Sequence, residues 1–168
     1  MTYIDRLELM AFFAGYPFVY AIIQVIHGTG KKSTPVLRDL VTILPLAYAL
    51  SGTLFAGMVV KELYPYAHSW TNIINQFYSP FLKIWGMMAV LFWVPALNRR
   101  PVLSLLHSLV FFFFLVHDIY IQFTSFPAKE IIQNDMKIFT DSLLLNSICL
   151  FLVALIYYPL ARRRRLKS

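Results

Sequence analysis

The 168-residue chain is 59% hydrophobic and 17% aromatic, and only 14% of its residues are charged, against roughly 25% in soluble domains. This composition, with a mean hydropathy of +0.65, excludes an ordinary water-soluble domain and predicts an integral membrane protein. The net charge of +7 does not indicate nucleic acid binding, because the basic residues stand at the ends of apolar runs.

Five apolar segments follow one another along the chain, and each reaches or approaches the roughly 20 helical residues that cross a bilayer. They cover residues 7–26, 40–60, 80–97, 102–123 and 138–160. Their apolar runs are continuous and lack alternation of period two, which favours helices over a β-barrel. We therefore expect an all-α bundle of five transmembrane helices, a four-helix core plus an N-terminal helix, in a single domain over residues 1–168.

The first segment is predicted to be a retained helix and not a cleaved signal peptide. Its N-terminus holds Asp5, Arg6 and Glu8 instead of a basic cluster, and no small-residue cleavage site follows His27. Pro17 is expected to kink this helix, which spanning helices tolerate.

Small residues mark one face of the second segment, where they allow a close helix approach within the bundle or between copies of the chain. These residues are Ala49, Gly52, Ala56 and Val60. On the fifth segment, Ser142 and Asn146 are four residues apart and are predicted to form interhelical hydrogen bonds.

The fourth segment carries a polar stripe on one narrow helical face. Its members are Ser104, His107, Ser108, Asp118 and Gln122. Because polar groups are costly in lipid, this face is expected to look into the protein interior or a wet cavity. It lines a pocket or pore, or it holds the helices together through buried hydrogen bonds and an ion pair. Lys83 and Lys61 are the predicted ion-pair partners of Asp118.

The basic residues predict an orientation. Ten of them fall on one side of the predicted membrane and five on the other, which places the C-terminus in the cytoplasm and the N-terminus outside a cell (inner) membrane. Five of the ten belong to the tail, which is predicted to anchor the topology and attract anionic lipid. They are Arg162, Arg163, Arg164, Arg165 and Lys167.

Motifs for chemistry are missing from the sequence. It has no Gly-rich phosphate loop, metal-ligand spacing or nucleophile motif, so we predict no catalytic residue, metal or cofactor. Haem and quinone stay open as alternatives. For haem, His27 and His107 lie toward one predicted membrane face, and His68 and His117 lie toward the other, a layering that two bis-histidine haems would need.

The stretch Phe81-Leu-Lys-Ile-Trp-Gly-Met-Met-Ala-Val-Leu-Phe-Trp-Val-Pro95, followed by Asn98-Arg-Arg-Pro101, resembles the DoxX-like family of small bacterial membrane proteins. In that family a Lys and a Gly open a helix, a Pro lies near its end, and a short basic turn leads into a further helix. The resemblance implies a four-helix bundle over residues 40–160 and a link to quinone-linked oxidoreductases, which some members accompany. It transfers no catalytic residue, and the segment over residues 7–26 departs from the family pattern.

The leading functional hypothesis is a non-enzymatic subunit or accessory protein of a membrane complex, linked to redox chemistry. Two alternatives stay open: a homo-oligomeric channel or membrane-disrupting effector, and a membrane enzyme or carrier acting on a lipid or quinone. The expected partners are the lipid bilayer and either further copies of the chain or other membrane subunits, without nucleic acid.

Overall fold

The computed structural model describes residues 9–29, 35–64, 80–125 and 129–165, which are helical apart from short turns and contain no strand. The elements are α1 (Tyr16–Thr29), α2 (Pro35–Leu63), α3 (Pro80–Met87), a 3₁₀ helix (Met88–Trp93), α4 (Pro95–Asn98), α5 (Pro101–Ser125) and α6 (Lys129–Arg165). The predicted all-α fold is therefore confirmed for this part of the chain.

Four stretches are long and apolar enough to cross a membrane, as the sequence predicts for four of its five segments. They are Leu9–Gly28, Arg38–Glu62, Pro101–Ile121 and Met136–Ala161.

The third predicted segment is divided into three helical pieces. Its α-helical geometry ends at Met87 and changes to a 3₁₀ helix, and Val94 then adopts an extended conformation (φ −70°, ψ 127°). A residue that precedes proline is driven out of the helical region by the proline ring, which explains Val94. Pro95 in turn opens α4, because its missing N–H costs nothing in the first turn of a helix.

The first segment is broken near Pro17, as predicted. Helical residues 9–13 end in a turn at Ala14 and Gly15, and α1 begins at Tyr16. Proline lacks an N–H, so the carbonyl four residues before it loses its helical partner and the helix bends.

Polar side chains of α6 bind the backbone groups at this break. The Gly15 N–H donates to Ser142 Oγ at 2.8 Å, and Asn146 Nδ2 donates to the Phe12 carbonyl at 2.9 Å. Asn146 Oδ1 also accepts a hydrogen bond from Ser51 Oγ of α2 at 3.1 Å. The predicted interhelical hydrogen bonds of Ser142 and Asn146 are thus confirmed. They give partners to the backbone groups at the helix break inside the bundle.

Two glycines mark the closest helix contacts. A Cβ placed on Gly15 would lie 2.5 Å from the Leu143 backbone nitrogen of α6, and one on Gly52 would lie 2.6 Å from Ala89 Cβ of the 3₁₀ helix. The small face of α2 therefore packs within the bundle at Gly52. Its last member, Val60, is exposed.

Aromatic side chains from four parts of the chain fill the centre of the bundle. Phe13, Tyr16, Tyr48, Phe55 and Phe111 are each at most 1% exposed. The rings of Phe13 and Phe111 stack at 4.7 Å, and the centroids of Tyr16 and Tyr48 are 4.4 Å apart. Such offset or tilted pairs add to the stabilisation that burial provides.

Candidate functional site: a groove beside His107

The structure buries the described part of the polar stripe. Ser104, His107, Ser108 and Asp118 all point into the bundle, with exposures of 7% or less. The side chain of Gln122 lies outside the described residues.

His107 is the centre of a hydrogen-bonded cluster that joins α5 to α2 and α3. Its Nε2 lies 2.9 Å from the carbonyl oxygen of Trp85, and its Nδ1 lies 2.6 Å from the hydroxyl oxygen of Tyr48. Because a carbonyl can only accept, Nε2 must carry the proton. In the neutral ring Nδ1 is then an acceptor, and Tyr48 donates its hydroxyl proton to it. Both ring nitrogens are engaged in holding helices together.

The carbonyl of Trp85 lies close to the change in helix type. In α3 each carbonyl pairs with the N–H four residues on, whereas in the 3₁₀ helix it pairs with the N–H three residues on. A switch from the first pattern to the second changes which N–H each nearby carbonyl faces. Trp85 stands at this junction, three residues before the 3₁₀ helix begins. His107 thus binds a backbone carbonyl beside the change in helix type.

Aromatic contacts hold the His107 ring in place. It stacks on Trp85 with centroids 4.8 Å apart and an interplanar angle of 7°, and the Trp85 indole N–H donates to the His107 carbonyl at 3.4 Å. Phe92 and Phe111 pack against the ring at 5.9 and 6.0 Å. The imidazole is therefore fixed on several sides.

The serines of the stripe are also used in local or interhelical bonds. Ser104 Oγ donates to the Pro101 carbonyl at 2.7 Å, so it accepts the hydroxyl proton of Tyr16, also at 2.7 Å. Ser108 Oγ donates to the Leu105 carbonyl of its own helix.

Asp118 lies apart from this cluster, about 16 Å farther along α5 at 1.5 Å per residue. Its Oδ1 is 3.6 Å from His117 Nδ1. Between Ser108 and Asp118 the buried positions of α5 hold Phe111 and Leu115. The stripe is thus two polar regions separated by apolar packing.

Of the two lysines proposed as partners of Asp118, Lys83 donates to Glu62 Oε2 at 3.3 Å, and Lys61 is exposed. Their pairing with Asp118 stays a prediction.

A groove of about 460 Å³ lies directly beside His107. One wall comes from α3, the 3₁₀ helix and α4, and the other from the first turns of α5. Its lining includes Met88, Leu91, Leu106, Val110 and, at its base, Trp85 and His107. Met88, Leu91 and Leu106 are 40–56% exposed, so the groove opens on the outer surface of the bundle. In a membrane this surface meets the lipid.

The other predicted residues lie apart from the groove. His27 lies in the last turn of α1, and His117 is exposed on α5. His68 and Lys167 lie outside the described residues. The four tail arginines continue α6, although their side chains are not among those described. Within the described ranges, no three His, Cys, Asp or Glu side chains come together as metal ligands. To ligate haem iron, His107 would have to release Tyr48 or Trp85.

Tyr48, Trp85 and Tyr16 belong to the site, yet the sequence gives them no special place, because aromatic residues in apolar segments are ordinary core residues. One property of the sequence could have pointed to them: a Tyr or Trp inside an apolar segment needs a hydrogen-bond partner for its O–H or N–H.

No family model, no curated protein and no solved structure matches this chain.

Proposed function

We propose that this protein is a non-enzymatic, membrane-embedded accessory protein that holds an apolar molecule from the bilayer in the groove beside His107. The observation that carries the proposal is the groove itself, which has apolar walls, opens toward lipid, and has the size of a small-molecule site, roughly 300–1,000 Å³. A molecule dissolved in the bilayer reaches it without crossing water.

The state of His107 supports binding over catalysis. A general base needs a lone pair within reach of the substrate proton. Here Nδ1 is taken by the Tyr48 hydroxyl, and the Nε2 proton is given to the Trp85 carbonyl. In binding, the imidazole ring therefore helps to shape the site, and the other lining residues provide apolar contact surface.

A membrane complex is the natural setting for such a protein. The resemblance of residues 81–101 to the DoxX-like family suggests a quinone-linked oxidoreductase complex in a bacterial inner membrane. Co-purification of a partner from native membranes in mild detergent is the expected result.

Binding in the groove is testable by fluorescence quenching. In a Trp70→Phe/Trp93→Phe background, Trp85 is the single tryptophan of the chain and can be excited selectively. In nanodiscs whose lipids carry brominated acyl chains, Val110→Phe narrows the groove and is expected to reduce Trp85 quenching, because the added ring occupies space that a brominated chain needs to contact the indole.

Val116→Phe is the matched control, since it adds the same ring to an exposed position of α5 outside the groove. Equal quenching in the two variants would overturn the proposed binding site.

We also propose five membrane crossings, with the N-terminus outside and the C-terminus in the cytoplasm. The third crossing is the broken segment over residues 80–98. At 1.5 Å per α-helical residue and about 2.0 Å per 3₁₀ residue it extends about 30 Å, the thickness of the hydrocarbon core.

Cysteine labelling tests this topology. In a Cys149→Ala background, a membrane-impermeant maleimide added to intact cells is expected to label Tyr64→Cys but not Arg100→Cys, because the third crossing separates them. Labelling of both from outside would leave the chain with four crossings.

A further inference from the structure

We infer that the groove takes the acyl chain of an anionic phospholipid, whose phosphate binds Arg99 and Arg100. This inference rests on the proposed function, since it requires a groove that is open to the bilayer. The basic residues near the groove are what favour an anionic headgroup over a neutral one.

A pair of cations lies in the turn that follows the groove lining along the chain. Leu97 and Leu103, the lining residues nearest the turn, stand two residues before Arg99 and three after Arg100. The two walls of the groove are therefore joined by the turn that carries both arginines. A basic turn alone is an ordinary topology signal. A basic turn that joins the two walls of a lipid-facing apolar groove also matches a molecule with an anionic head and an apolar tail.

The turn presents its arginines from a fixed backbone. The N–H groups of Arg99 and Arg100 donate to the carbonyls of Pro95 and Leu97 at 3.3 and 3.1 Å, and both arginine side chains are exposed. Guanidinium groups bind phosphate oxygens in pairs of parallel hydrogen bonds. In the same turn, Asn98 Oδ1 is buried and has no hydrogen-bond partner among the described residues. A headgroup hydroxyl is the kind of donor that such an oxygen lacks.

The order of residues along α5 fits a phospholipid. From the arginines inward, the groove is lined by Leu103, Leu106 and then Val110, a distance of about 10 Å along the helix. A phospholipid has the same order, with its phosphate at the membrane boundary and its chain below. Trp85 and His107 lie deeper than the arginines, where the chain would contact them. A neutral apolar molecule would gain nothing from the two cations.

The test uses the full chain with Trp85 as its single tryptophan, in nanodiscs of non-brominated phosphatidylcholine. Either brominated phosphatidylglycerol or brominated phosphatidylcholine is added at equal mole fractions. We expect phosphatidylglycerol to quench Trp85 with a relative affinity roughly ten- to thirty-fold higher, from two basic residues near the membrane surface at low salt. Arg99→Gln/Arg100→Gln is expected to remove this preference.

Arg163→Gln/Arg164→Gln is the matched control, because it removes the same charge from α6, which does not line the groove. The protein that keeps Arg99 and Arg100 gives a second readout. In 0.5 M salt its preference for phosphatidylglycerol over phosphatidylcholine is expected to fall strongly, because salt screens the charges. Equal quenching by both lipids would contradict the proposed preference for an anionic headgroup, and so would a preference that is lost only in the α6 variant. Either result would still allow the groove to bind an apolar chain. Quenching that Val110→Phe does not change would instead remove the groove as a binding site.

Discussion

His107→Ala is expected to lower the free energy of unfolding in detergent micelles by about 3–5 kcal/mol, the usual cost of removing a large buried ring. The substitution leaves a cavity where the imidazole stacks on Trp85. It also strands two polar groups, the Tyr48 hydroxyl and the Trp85 carbonyl. A buried group without its partner costs about 1–3 kcal/mol.

Two variants separate the parts of this effect. Tyr48→Phe removes only the hydroxyl and is expected to cost about 1 kcal/mol, since single hydrogen bonds between membrane helices are modest. His117→Ala, on the exposed face of the same helix, is expected to stay within about 0.5 kcal/mol of the unmodified protein. Reversible unfolding in mixed micelles measures all three. A His107→Ala variant as stable as His117→Ala would mean that the cluster does not hold the bundle together.

Gly15→Leu is the second substitution with a large expected effect, about 3 kcal/mol or more, at the top of the range for overpacking. At Gly15 the chain backbone meets the backbone of α6, and an added Cβ would lie within 2.8 Å of three atoms of Ser142 and Leu143. Backbone atoms cannot rotate away as a side chain can, so the two segments must separate. The hydrogen bond from Gly15 N–H to Ser142 Oγ is then lost.

Gly57→Leu makes the same change where a Cβ meets nothing within 4 Å. It should be neutral or slightly stabilising, because leucine favours the helix over glycine by several tenths of a kcal/mol. Thermal unfolding of both variants in the same detergent gives the comparison. If Gly15→Leu unfolded at the temperature of Gly57→Leu, the close approach at Gly15 would not exist in the folded protein.

The interior of α5 also bears on the channel hypothesis. A polar pathway along the stripe would have to join Ser108 to Asp118, and Phe111 and Leu115 occupy the buried positions between them. The polar groups near His107 are bonded to one another or to backbone carbonyls. This packing favours a closed bundle over a stripe that conducts.

The sequence by itself determined the features that depend on local composition. The lengths of the apolar segments predict the helices, because lipid leaves backbone groups no partner except those within the helix. The helix break near Pro17 follows from the proline ring, and the burial of Ser104 and His107 follows from the cost of polar groups in lipid. Each of these conclusions needs only a residue and its near neighbours.

The tertiary structure alone decided what those residues touch. His107 meets Tyr48 across 59 positions of the chain, and Gly15 meets Ser142 across 127, distances over which helical periodicity carries no information. The groove lies between the broken third segment and α5, and its position beside the bond from His107 to the Trp85 carbonyl depends on how these segments pack. Packing between distant segments chooses these partners, because many helix arrangements bury the same apolar residues and differ in the polar groups that they bring together.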